Sequence, residues 1–581
     1  MKLKIFIATT VIAAAVLIVF SQIKNRAFAP AEDFPRQALL YVQIADLPAF
    51  IKLWNESELK EKYQESENFR DFKNNHLGRK LASRWQEFSD AAGFSIDLEV
   101  LSRLAGNQAS VALYDVGKLE FVFIAPISDE FFAATKFAQT RDKFTEEMLS
   151  DGTIIYRAAV EADRGRQKQE LIFTQAKGRF ILATSERLLV QTLANINGDG
   201  AKNRLIDDPV FKFLSEKIEP HAATVWINQT ALNDDYYFKH YWLMSDIADL
   251  KNIRAGMFDF EIGIGKIIER RKFLLDKAVE SLPIEISDAE KISTFLPSDL
   301  PFYRLQSGNH KTVNEAIEKT IFPSPSKTNK KSRKYNSAYS TFNSYDDYSN
   351  VSYDSLRGNF DETIDETEDD DTVERSEIEI DFSKILEPSN PRTILTFTKP
   401  KILSAPMFVE FQSAAIFNLG TPKSFDRENF EAVLAQKLSA QVLIAAPGVK
   451  LDWETKSENA YTWRELKLPK LDWNINYATV GNVLIVANDS VFLRQILVEP
   501  HSAQIEKETL PPFTSLSVIN LGERENTYDK IFAELNRKEQ TDDFFNGNIT
   551  SLLDATSRIK RVEIKENHSQ KMLDEEITFN F

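Results

Sequence analysis

Several short blocks recur in the same order in the two halves of this 581-residue chain, and that order constrains the fold more than any single motif. Pro35 leads into Ala38-Leu39-Leu40-Tyr41-Val42, and Pro297 into Leu300-Pro301-Phe302-Tyr303-Arg304. Phe121-Val122-Phe123 is matched with Phe408-Val409-Glu410-Phe411, each ahead of an amphipathic helix. The first helix is expected to hold Phe137, Phe144 and Met148, the second Phe430 and Leu434. Tyr156-Arg157 is matched with Trp463-Arg464. Phe173 to Leu193 and Tyr477 to Leu497 each read as a strand pair followed by a helix, capped by Ser185 in one and by Asp489 or Ser490 in the other. Val225-Trp226-Ile227-Asn228 matches Ser517-Val518-Ile519-Asn520, and each half closes on two alternating strands, 253–275 and 559–581. Gly263 and Gly265 should turn the first of these hairpins and Asn567 the second.

Period-two strands joined by short turns, such as Asp115-Val116-Gly117-Lys118, predict mainly antiparallel sheet. The expected fold class is α+β: an N-terminal transmembrane helix followed by two tandem modules of antiparallel sheet with helices on one face, the product of an internal duplication. The first module is read at 33–290, with a helical cap at 47–104. The second is read at 291–581, interrupted by an insert at 323–390.

The insert has its own composition. Lys327, Lys330, Lys331, Arg333 and Lys334 form a basic knot. Tyr335, Tyr339, Tyr345, Tyr348 and Tyr353 follow, then an acidic run from Asp361 to Asp381. With few aliphatic residues it should form no core of its own, and its tyrosines are candidates for a contact arm. Residues 335–382 hold 15 acidic side chains, 2 Arg and no Lys, and so carry −13 of the net −16. The rest is nearly neutral, with no basic face or motif for nucleic acid.

Residues 1–26 read as a membrane segment. An uncharged run from Ile5 to Ile23 follows Lys2 and Lys4 and is closed by Lys24 and Arg26. Its 19 residues would span about 28 Å as a helix, close to a bilayer's hydrocarbon thickness. Ala27-Phe28-Ala29 also fits a signal-peptidase site, but Pro30 after the cut and the two cations before it favour an uncleaved anchor. The expected topology is a short inside tail and a large domain on the periplasmic or outer side of the cytoplasmic membrane.

Residues 33–59, DFPRQALLYVQIADLPAFIKLWNESEL, resemble the start of an uncharacterised family of bacterial membrane-anchored envelope proteins, a domain of unknown function. The resemblance implies an envelope location and carries over no functional residue.

Chemistry is harder to place. The absence of cysteine removes disulfides and thiol chemistry. His76, His221, His240, His310, His501 and His568 show no ligand spacing, and are expected on the surface or in turns. Gly263-Ile264-Gly265-Lys266 lacks the rest of a phosphate loop. Asn195, Asn197, Asp199 and Gly200 follow the first positions of a calcium loop, but Ile206 stands where the bidentate Glu belongs, with Asp207 next. Residues 236–249, with Tyr241 and Trp242, read as a buried helix or an apolar lining. No Gly-x-Ser-x-Gly elbow and no cofactor motif occurs. The expectation is a non-catalytic protein with a binding or scaffolding role, partnered by the membrane through residues 5–23 and by another envelope protein or lipid. A carrier of an apolar ligand or lipid is the alternative. A hydrolase with a site assembled from distant residues is the third reading.

Overall fold

The computed structural model describes residues 29–56, 58–74, 76–105, 107–160, 169–200, 203–235, 252–263, 265–279, 282–298, 300–321, 381–401, 410–442, 451–468, 473–498, 513–522 and 558–581. The run 5–23, the five tyrosines of the insert, His240, His501 and the segment 236–251 lie outside them. Among the described residues no helix is long and apolar enough to cross a membrane.

The chain forms two compact units. The first comprises Met1–Gly308, Arg392–Gln412 and Glu499–Phe581; the second comprises Asn309–Pro391 and Ser413–Val498. The first unit therefore draws strands from both of the spans 33–290 and 291–581.

Its strands are β1 (Leu40–Ile44), β2 (Ala109–Asp115), β3 (Glu120–Pro126), β4 (Thr145–Met148), β5 (Ile154–Val160), β6 (Gln169–Ala176), β7 (Arg179–Ala183), β8 (Ala223–Ile227), β9 (Ile253–Gly263), β10 (Lys266–Leu275), β11 (Phe302–Ser307) and β12 (Pro391–Lys401). They are followed, after β13 (Glu410–Leu419), β14 (Trp453–Glu458), β15 (Tyr461–Leu468), β16 (Trp473–Val480) and β17 (Val483–Ala487), by β18 (Ser515–Asn520), β19 (Arg561–Ser569) and β20 (Met572–Asn580). Every pairing in the first unit is antiparallel, in the spatial order β4-β5-β6-β7-β3-β2-β1-β8-β9-β10-β20-β19-β18-β11-β12.

Helices cover both faces of the β1–β7 region, where one covered face was expected. Alternate residues of β3 enter different clusters. Phe121, Phe123 and Ala125 pack with Phe88, Leu104, Phe137, Phe173 and Phe180. Val122 and Ile124 pack with Tyr41, Trp226, Leu188, Leu189 and Phe211. The reason is in the strand sequences: Phe121-Val122-Phe123-Ile124-Ala125 and Phe180-Ile181-Leu182-Ala183 are apolar at both parities, so both faces must leave water.

A second correction concerns residues 129–148. The helix expected to hold Phe137, Phe144 and Met148 is broken into Asp129–Ala133, Lys136–Gln139 and a single turn at Arg141–Lys143, and β4 follows. Thr135 stops the first piece by taking extended backbone, and its side chain accepts from Ala138 N to cap the second. Phe137 and Phe144 are buried, whereas Met148 lies exposed on β4.

In the second unit the order is β14-β15-β16-β17-β13, again antiparallel. Helices His310–Ile321, Phe382–Leu386, Arg427–Val442 and Ser490–Val498 accompany these strands. Phe417, Ile485, Phe430, Leu434, Phe492 and Leu493 are fully buried. Asp489 rather than Ser490 caps the last helix, its Oδ1 accepting from Phe492 N at 2.8 Å.

Strand register tests the matched blocks residue by residue. Tyr41 lies opposite Trp226, which lies opposite Met257. Tyr303 lies opposite Val518, which lies opposite Glu563. The closing hairpins coincide at a constant offset of 306 residues: Gly263↔Lys266 corresponds to Ser569↔Met572, and Ala255↔Leu274 to Arg561↔Asn580. The second turn falls at Gln570-Lys571, with Gln570 at φ +50°, so Asn567 is a strand residue opposite Asp574.

Two matches slip. Tyr156 faces Phe173, whereas Arg464, not Trp463, faces Tyr477. Val122 faces Ala183 and Ala414 faces Ala487, so the counterpart of Val122 is Ala414 and not a residue of 408–411.

Candidate functional site

A polar constellation in the first unit spans the neighbouring strands β8, β9 and β10. Asp259 on β9 is fully buried. Its Oδ1 accepts from the backbone N of His221 at 2.8 Å and from Thr224 Oγ1 at 2.9 Å, and its Oδ2 lies 2.5 Å from His221 Nδ1. The bond to Asp259 raises the His221 pKa against the opposing pull of burial. Arg270 on β10 lies opposite Asp259 and donates to Glu261 Oε2 at 2.6 Å, holding that carboxyl below its usual range.

On the other face, Glu269 is fully buried and takes two bonds from Arg271, from Nε at 2.7 Å and from Nη2 at 2.8 Å. Arg271 Nη1 also reaches Glu575 Oε2 on β20 at 3.4 Å. Burial pushes the Glu269 carboxyl up, against the arginine. A carboxylate-held imidazole is the arrangement of a general base. Here the carboxylate also holds the His221 backbone and Thr224.

The second unit brings Ser, His and Asp together in the opposite sense to a nucleophilic triad. His310 Nδ1 lies 2.5 Å from Ser383 Oγ, and that hydroxyl donates to Asp381. Asn314 Nδ2 donates to Asp381 Oδ1 at 2.7 Å, and Asn314 Oδ1 accepts from Ser383 N at 3.0 Å. The serine stands between imidazole and carboxylate. Its single proton goes to Asp381, so Nδ1 must be the protonated nitrogen and cannot accept the serine's proton. The cluster is a clamp that ties helix Phe382–Leu386 to helix His310–Ile321, on either side of residues 322–380. Ser383 and Asn314 hold Asp381 down to about 2.

A shallow depression of about 180 Å³ lies beside the start of helix Glu186–Asn197, lined by Lys118, Glu120, Gln169, Glu170, Thr184 and Arg187 among others. Its charges are engaged with one another: Arg187 and Lys118 approach Glu120 at 3.5 and 3.9 Å, and Arg157 binds Glu170 and Glu186 at 3.0 Å each.

The calcium-loop candidates are not gathered around one point. Asn195 and Asn197 belong to the last turn of helix Glu186–Asn197, which Gly198 ends in the left-handed region at φ +87°. Asn195 Nδ2 donates to Asp33 O at 3.3 Å. Asp199 N and Gly200 N both donate to Ala194 O. Gly200 is required by packing, since a Cβ there would fall 1.9 Å from Asn195 Oδ1. Asp207 is engaged by Arg204 at 2.7 Å. Among the described residues no group of three or more His, Asp or Glu is placed to hold a metal. Gly263 pairs with Lys266, which closes the expected hairpin.

No family model and no curated protein matches the chain. Among solved structures it is similar to crystal form III of TP0453 (10% identity, TM-score 0.24, 47% of this chain and 87% of that one). It is likewise similar to crystal form I of TP0453 (11% identity, TM-score 0.23, 45% and 84%).

Proposed function

We propose that this chain is a non-catalytic, membrane-tethered protein of the bacterial envelope, built by duplication of one sheet–helix module and acting in binding or scaffolding. The observation that carries the reading is the repeated strand path. β4-β5-β6-β7-β3 is followed again by β14-β15-β16-β17-β13, and β1-β8-β9-β10 by β11-β18-β19-β20. The modules are the spans 33–290 and 291–581. Accidental likeness of strand patterns would not reproduce both the order and the residue register of Tyr41 with Tyr303. The uncharged run 5–23 and the resemblance of residues 33–59 support the envelope location. The polar groups at the centre of the sheet support a scaffold, since they bond strand to strand.

Crosslinking in native membranes, followed by identification of the captured proteins, tests the reading. A reproducible envelope partner supports it. A turnover activity in the purified protein that a point substitution abolishes would overturn it. Lipid retained in native mass spectrometry would turn the reading to a carrier of an apolar ligand.

A further inference from the structure

One end of the β3–β7 region gathers the start of the described chain and three exposed apolar side chains. Asp33 is tied to Arg179 at the start of β7, its Oδ2 lying 2.6 Å from Nε. Asp33 O accepts from Asn195 Nδ2 at 3.3 Å. Asn197, in the same helix turn, donates to Asp151 Oδ2 at 3.4 Å, between β4 and β5. Met148 ends β4 directly opposite Ile154, the first residue of β5. Ile154 O accepts from Thr174 Oγ1 at 2.7 Å, and the next residue, Gln175, donates from Nε2 to Asp129 Oδ1 at 2.7 Å. Asp129 opens the short helix that carries Phe131, and Ile127 N, just before it, donates to Gly178 O at 2.9 Å between β6 and β7. Asp33, both hairpin turns and the end of helix Glu186–Asn197 therefore lie together.

At this end Phe131 is 70% exposed, Met148 68% and Ile154 38%. Large apolar side chains grouped on a surface mark a place for an apolar neighbour. Two observations identify it. The uncharged run stops at Ile23, and the chain from there to Ala29 extends over about 20 Å at most. Asp33 follows one 3-10 turn later, Ala29–Glu32, so this end of the unit is held close to whatever surface holds the run. The exposed charges here are of both signs, Asp129, Glu130 and Asp151 with Lys177. They give no charged partner a complement. They do suit the boundary between lipid headgroups and acyl chains, where apolar side chains enter and polar ones stay in water.

We infer that this end of the first unit rests on the bilayer that holds the run 5–23, with Phe131 and Met148 seated at the headgroup–acyl boundary. The inference rests on the reading of that run as a membrane anchor. The anchor makes the contact intramolecular, so two side chains can fix an orientation that they would not hold from solution. Without them the chain stays in the membrane, but the unit has no fixed face toward it.

The chain has no cysteine, so a label can be placed at one chosen position. Phe131→Cys, Met148→Cys and, as reference, Arg187→Cys are labelled with nitrobenzoxadiazole in the full-length chain. Each is reconstituted into phosphatidylcholine vesicles that carry nitroxide-labelled lipid. Arg187 is exposed in the first turn of helix Glu186–Asn197, about 15 Å along the axis from Asn197. The labels at 131 and 148 should shift to the blue and lose most of their emission to the nitroxide, while the label at 187 keeps its own. Flotation of the same vesicles reads the anchor separately. A chain that floats with all three labels unquenched overturns the inference and leaves the anchor standing, and a chain that does not float overturns both. Blue-shifted but unquenched labels, with disulfide crosslinking of unlabelled Phe131→Cys chains to one another, would put a second copy on this end and overturn the bilayer contact. Positions 131 and 148 are both on the surface, and either decides alone if the other variant fails to fold.

Discussion

His221 Nδ1 sits 2.5 Å from Asp259 Oδ2, and the carboxylate that holds it is fully buried. The imidazolium is the form this pairing favours, and the hydrogen bond raises the His221 pKa above its ordinary 6.5. The contribution to stability is complete below the unfolded value of 6.5 and is lost as pH rises through the higher folded value. The melting midpoint should therefore fall as pH rises from about 6 to 8, by an amount that His221→Gln abolishes. Thermal melts of both proteins across that range check it, and parallel curves would reject the assignment.

Arg271 neutralises a glutamate that has no access to water. Arg271→Met leaves Glu269 buried with its charge uncompensated and should cost about 3–5 kcal/mol. Replacing both, as Glu269→Leu with Arg271→Met, should recover much of that loss, because a well-packed apolar pair can equal a buried ion pair. Denaturant unfolding of the three variants gives the comparison. A double variant as weak as the single one would contradict it.

Gly256 is set by packing against two rings. A Cβ at this site would lie 3.0 Å from Phe273 Cδ1 and 3.1 Å from Phe258 Cε2, and those rings meet edge to face at 5.3 Å. Gly256→Val should cost about 1–3 kcal/mol through overpacking. Trimming Phe273 to Leu in the same chain should relieve part of it, read from the shift in unfolding midpoint.

The clamp in the second unit makes a different prediction. Asp381 caps helix Phe382–Leu386 by accepting from Ser383 N at 3.1 Å. Its lowered pKa means that its stabilisation is present above 3.8 and lost as pH falls through about 2. Asp381→Ala should remove about 1 kcal/mol of local stability at neutral pH. Hydrogen exchange at Ser383 and its neighbours should quicken, while amides of β9 and β10 stay protected.

How much of this was legible in the sequence depends on parity. The two closing hairpins were legible as spans, 253–275 and 559–581, but not to the turn: only β10 alternates cleanly, and Asn567 lies within β19 while the chain turns at Gln570-Lys571. β3 offers no such guide. Phe121-Val122-Phe123 is apolar on both faces, so any nearby Phe-Val pair looks like a match, and the structural counterpart, Ala414, carries no aromatic to betray it. The broken helix near Phe137 has the same cause: Phe132, Phe137 and Phe144 all face the core, but from separate short pieces whose boundaries are set by Ser128 and Thr135. The polar constellations were not legible at all. His221 and Asp259 are 38 residues apart, and His310 and Ser383 are 73 apart. They meet only through strand pairing in one case and helix packing in the other.

The pairing of β10 with β20 also sets a timetable for the newborn chain. β10 is complete at Leu275, but its partner, Met572–Asn580, follows about 300 residues later in the chain. At about 5–20 residues per second, that leaves the edge of β10 bare for about 15–60 s on the ribosome. A strand edge open for that long invites pairing with a neighbouring nascent chain. Arg270 on that edge lies opposite Glu576, so the strand it awaits brings the opposite charge to the site where it must pair.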